Sequence, residues 1–144
     1  MSDFRTRVAV LRCAEAWLDT PYRHQASVKG IGTDCLGLIR GIWRDLYGIE
    51  PETPPAYTPD WAEASGEETL LNAATRWLIP IAAPQPGDAL LFRMTSAGPC
   101  KHIGLMGRDH RILHAYWGKA VVYSHFVPFG QRRFAASFAF PPLD

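Results

Sequence analysis

The stretch HIGLMGRDHRILHA, residues 102–115, decides how the second half of the chain folds. Apolar residues flank the turn signal Gly107-Arg108-Asp109 on both sides, so the stretch reads as a β-hairpin. If the turn centres on Arg108, cross-strand partners sum to an even number. His102 then lies opposite or close to His114, and the two share a face. Ile103, Leu105, Leu113 and Ala115 take the other face and bury against whatever covers it. A one-residue slip would send the two histidines to opposite faces.

Further short apolar runs lie around this hairpin: ALLFRM (89–94), AVVYSHF (120–126) and RFAASFAF (133–140). Together they predict one antiparallel sheet of about five strands. The first half of the chain has a different period. Val10, Leu11, Ala14, Trp17 and Leu18 recur at helical spacing, which predicts a helix from about Arg5 to Asp19. Pro21 ends it, because proline disfavours a helical backbone at Thr20. GIGTDCLGLIRGIWRDLYG, residues 30–48, predicts a second helix from near Asp34 to a left-handed cap at Gly48. Cys35 opens the apolar stripe of Leu38, Ile39, Ile42, Trp43 and Leu46.

Between the halves, IEPETPPAYTPDW (49–61) is too proline-rich for regular structure throughout. Thr58 and Pro59 signal a short helix start, and a further helix is expected from about Glu67 to Trp77. These make a small helical insert at about 50–80, too short to own a core. Residues 1–144 are read as a single α+β domain, papain-like, with the N-terminal helices packed on the sheet.

Formal net charge is +1 and the chain holds three cysteines, which cannot all pair with one another. The last third is basic, but its charges are scattered rather than striped, so no nucleic-acid partner is expected. The first twenty residues carry Asp3, Arg5, Arg7, Arg12 and Glu15 and lack the apolar run of a signal peptide or a membrane span. Synthesis in the cytoplasm without an export signal, and no membrane partner, are the expectations.

The chemistry centres on Cys35. A thiol at a helix N-terminus meets unpaired backbone N–H groups and the positive end of the helix dipole, both of which favour its thiolate. A histidine from the sheet could take its proton, and a second polar group could orient that imidazole. The same N–H groups could stabilise an oxyanion. On an apolar stripe without histidines, Cys35 would be an ordinary core residue; the helix start and the paired histidines favour a nucleophile. Cys13 reads as packing. Cys100, two residues before His102, would share its face on a regular strand, but Gly98 and Pro99 place it in a loop and it reads as incidental. His110 falls in the hairpin turn, and His125 has no evident partner. Zinc held by Cys35, His102 and His114 is conceivable but matches no zinc spacing. Neither a metal nor an organic cofactor is expected. Tyr57 and Trp61 read as anchors of the insert rather than sugar platforms.

The ordered motifs TPYRHQA (20–26), GTDCLGLIRGIW (32–43), PGDALLF (86–92), KHIGLMG (101–107) and RILHAY (111–116) together resemble the NlpC family of cell-wall cysteine peptidases. Residues 50–78 resemble the insert of its phage-type subgroup, found in tail modules and gene transfer agents. The resemblance implies a peptidoglycan peptide as substrate, hydrolysed in the stem at the γ-D-glutamyl–diamino-acid bond. It implies Cys35 as nucleophile, His102 as base, His114 as orienting residue and Tyr22 near the oxyanion. It further implies phage-like tail proteins as partners, and a phage-like particle, or release on lysis, as the route to the wall. Many members continue the tyrosine motif with Trp-Gly-Gly, where this chain has His24, Gln25 and Ala26. His24, Gln25 and Asp34 are therefore weak substrate-contact candidates. Two rivals remain: a cysteine-dependent amidase or acyltransferase on the same scaffold, and a non-enzymatic tail or wall-binding component.

Overall fold

The structure is a computed structural model describing residues 3–50, 68–95 and 97–143. Helix α1 spans Phe4–Glu15, capped by Asp3, whose carboxylate accepts from the Thr6 backbone N–H at 3.2 Å and the Thr6 hydroxyl at 2.7 Å. It ends four residues before the expected Asp19 because the sheet captures the chain there. The Asp19 N–H donates to Val121 O, and the Val121 N–H to Thr20 O, each at 2.9 Å. A small hairpin of β1 (Ser27–Val28) and β2 (Gly32–Thr33) leads into α2, Cys35–Tyr47. Asp34 caps its start and Gly48, at φ 88°, its end.

Helix α3 covers Thr69–Trp77, where the second helix of the insert is expected. The helix start at Thr58 and Pro59, with Tyr57 and Trp61, lies outside the described residues. Strands β3 (Ile79–Ile81), β4 (Ala89–Arg93), β5 (Cys100–Met106), β6 (Arg111–Ala115) and β7 (Val121–His125) follow. Helix α4 (Phe126–Arg133) and β8 (Phe134–Ala139) complete the chain. Among the described residues the main sheet has six strands in the order β3-β8-β4-β5-β6-β7, every pairing antiparallel. Five are the expected strands. The sixth is the short edge strand β3, where Pro80 breaks the alternation that would have marked it.

The two faces of this sheet differ. Odd-numbered residues of β5 and β6, Ile103, Leu105, Leu113 and Ala115, join Val10, Trp17, Leu38 and Ile42 of the helical layer in one core. Burying each of the valine, leucine and isoleucine side chains among them contributes about 1.5–3 kcal/mol. Gly41 lets α1 and α2 approach: a Cβ there would stand 2.0 Å from the Trp17 ring. The even-numbered Leu90, Phe92, Met106 and Ile112 form a second, smaller cluster with Phe126 on the opposite face. Among the described residues no helix is long and apolar enough to cross a membrane.

Candidate active site

The hairpin turn determines what the two histidines can do. Leu105 pairs with Leu113 and Met106 with Ile112, so partners sum to 218 and the turn centres on Asp109, one residue later than expected. The sum stays even, and the histidines keep a common face. His102 is displaced two residues along the strand, diagonal to His114 rather than opposite it, and Gly104 is the residue beside His114. A Cβ on Gly104 would lie 2.9 Å from His114 Cβ and 3.1 Å from Ile112 Cγ2. Glycine thus leaves room for the rings to lean together. His102 Nε2 and His114 Nδ1 are 2.7 Å apart, in a hydrogen bond, with the rings edge to face. His114 is 1 % exposed. Its Nε2 lies 2.8 Å from Ser124 Oγ, a residue the motifs did not single out although it lies in phase on the neighbouring strand.

A second group forms around the nucleophile candidate. Cys35 is the first residue of α2 and 9 % exposed. Asp34, 2 % exposed, accepts from Gly37 N–H through Oδ1 at 2.7 Å and from Gln25 N–H through Oδ2 at 2.8 Å. Its carboxylate therefore builds the loop and the helix start. Gln25 takes a left-handed backbone (φ 64°), and the side chains of His24 and Gln25 are exposed. Tyr22 is half-buried, pairs with Thr33 and packs against the core that includes Cys35.

The two groups adjoin at the start of β5. The backbone N–H of Ile103, one residue beyond His102, is among the groups that favour the Cys35 thiolate, with those of Leu36 and Cys35 itself. Burial outweighs them. Together with the Asp34 carboxylate it pushes the thiol up to about 12. This corrects the expectation of a thiolate stabilised by the helix end: the thiol is desolvated, and the Gly37 N–H is spent on Asp34. Burial acts on the imidazoles in the opposite direction, lowering His102 to about 3, with His114 adding to the effect, and His114 to about 4. Burial therefore favours the neutral form of the thiol and of both imidazoles. Burial, Cys35 and Asp34 also raise Tyr22, so its phenol keeps its proton and can donate a hydrogen bond.

The remaining cysteines and histidines have other places. A bulge at Phe92/Arg93 sets Phe92 opposite His102 but Arg93 opposite Cys100. Alternation breaks at Lys101, and Cys100 is buried in the helix-side core instead of sharing the histidine face. Cys13 donates from Sγ to Asp45 Oδ2 at 3.4 Å. His110 (φ 53°) and His125 are exposed at the ends of β6 and β7. Among the described residues no group of three His, Cys, Asp or Glu side chains is placed to hold a metal ion.

Residues 19–135 match a family model described as the NlpC/P60 family. Among solved structures, the NlpC/p60 domain of the peptidoglycan hydrolase SagA superposes with TM-score 0.64 at 17% identity, over 92% of this chain and 97% of that one. An NlpC/P60 family protein from Bacillus cereus gives TM-score 0.67 at 17% identity, over 94% of this chain and 40% of that one. NlpC2 from Trichomonas vaginalis gives 0.65 at 20% identity, over 97% and 48%. This chain therefore spans less than half the length of the last two proteins. No curated protein matches it.

Proposed function

Because the chain belongs to the NlpC/P60 family, we propose that it is a cysteine-dependent hydrolase of amide bonds in peptidoglycan stem peptides. The observation that carries this reading is the His102 Nε2 to His114 Nδ1 hydrogen bond of 2.7 Å, on a strand whose next backbone N–H, at Ile103, bonds the helix-start Cys35. With Nε2 engaged, Nδ1 is the ring nitrogen that takes the thiol proton.

The steps follow from that geometry. As Cys35 Sγ attacks the scissile carbonyl, its proton passes to His102 Nδ1, so charge appears only along the reaction path. The tetrahedral oxyanion is met by the Cys35 backbone N–H and the Tyr22 phenol. Collapse expels the amine, which leaves with the proton from His102, and an acyl thioester remains on Cys35. Water then attacks the thioester, gives a proton to His102, and releases the carboxylic acid and the thiol. His114 holds the His102 ring throughout.

Within this reading the bond cut is the γ-D-glutamyl–diamino-acid link, and the chain reaches the wall in a phage-like particle with tail proteins as partners. Both details rest on the resemblance of the motifs and of residues 50–78. Mass spectrometry of purified peptidoglycan fragments, incubated with the native protein and with Cys35→Ala, tests the proposal. Peptide-stem products from the native protein alone support the hydrolase and identify its bond. Equal products from both overturn the role of Cys35. No product from either favours a wall-binding component.

A further inference from the structure

We propose that Ser124 is a positioning residue that sets the tautomer of His114 and, through it, of His102; the proposal rests on the hydrolase reading above. His114 is buried and its two ring nitrogens are both engaged, Nδ1 with His102 Nε2 at 2.7 Å and Nε2 with Ser124 Oγ at 2.8 Å. A neutral imidazole has one N–H and one acceptor nitrogen, so this row of three side chains has two consistent proton arrangements. In the first, His102 Nε2–H donates to His114 Nδ1, and His114 Nε2–H donates to Ser124 Oγ. His102 Nδ1 then carries no proton and can accept one. In the second, every donor reverses, and the proton sits on His102 Nδ1, where it blocks acceptance of a thiol proton. The hydroxyl at the end of the row selects between them.

The surroundings favour Ser124 as acceptor. It is half-buried on the edge strand β7, so water can take its own O–H while Oγ receives the His114 proton. The strand that carries Ser124 is also held firmly. The register Ile112↔Ser124 and His114↔Val122 places the hydroxyl diagonal to the imidazole on the histidine face. On the other face the next residue, Tyr123, donates its hydroxyl to Glu15 Oε2 at 2.6 Å, and the Arg111 guanidinium lies 4.1 Å from its ring centre. Edge strand β7 is thereby clamped to α1. Tyr116, 5.4 Å from His114 ring to ring, adds an edge-to-face contact to the same imidazole.

Nitrogen-15 NMR of histidine-labelled protein reads the tautomers directly and needs no substrate. The native protein is expected to show His114 protonated at Nε2 and His102 protonated at Nε2. Ser124→Ala should shift both rings toward the reversed or mixed form, and Ser124→Thr, which keeps the hydroxyl, should restore them. With peptidoglycan fragments, Ser124→Ala should lower kcat about tenfold with KM unchanged, and Ser124→Thr should recover most of it. Native His114 unprotonated at Nε2, or a Ser124→Ala protein with the native tautomers, overturns the proposal. If the native protein cuts no peptidoglycan, the hydrolase reading fails while the NMR spectra still decide the role of Ser124.

Discussion

The Cys35 helix start and the histidine face are built in opposite ways. At the Cys35 helix start the hydrogen bonds of the Asp34 carboxylate are local, reaching Gly37 and Gln25, three and nine residues away. The histidine face is assembled from three strands, with His102, His114 and Ser124 brought together by sheet register. Yet burial treats both ends alike. It raises the thiol and lowers the imidazoles, so each is held neutral. On the proposed reading, a site of this kind separates no charge at rest, and a bound substrate has to draw the proton across.

The largest expected effect breaks the symmetry by pH. Both histidines have folded pKa values below their ordinary 6.5. Below that pH the unfolded chain therefore binds more protons than the folded one. Stability is full above about 6.5 and falls as pH drops toward 4, by up to about 1.4 kcal/mol per pH unit for each histidine that stays neutral. Thermal unfolding of the native protein and of His114→Gln between pH 7 and 4.5 checks this. The variant should show the shallower slope, and equal slopes would sink the account.

A smaller effect is expected on the sheet side. Gly104→Ala places a methyl against His114 Cβ and Ile112. Overpacking of this kind costs about 1–3 kcal/mol, and the displaced His114 ring should lose its hold on His102. Unfolding midpoints, together with the NMR shift of His102, would register both. An unchanged His102 resonance would mean the rings tolerate the methyl.

The smallest expected effect is at the helix end. Asp34→Asn keeps a cap for Gly37 but sets an amide NH₂ or a lost contact against the Gln25 N–H. The cost should be about 1–2 kcal/mol. The same change removes the carboxylate that raises Cys35. Alkylation of Cys35 by iodoacetamide at pH 8, followed by peptide mapping, should speed up. A rate no faster than native would leave burial as the whole cause of the neutral thiol.

Much of this molecule was legible in the residues because its signals are local. The Asp34 cap, the Gly48 stop and the stripe from Cys35 to Leu46 define α2 within one element. The alternation of KHIGLMG and RILHAY indicates two strands whose histidines share a face, and a two-residue register change preserves that parity. Three features came from tertiary structure. Helix α1 stops early because β7 competes for the backbone of Asp19 and Thr20. The bulge at Lys101 moves Cys100 into the other core. Burial overrides the helix end in setting the charge of Cys35. The residues alone indicated α2, five of the six strands of the main sheet and the Cys35, His102 and His114 candidates, since those signals depend on near neighbours. Register, desolvation and the Ser124 contact were decided by the fold, because they depend on groups far apart in the chain.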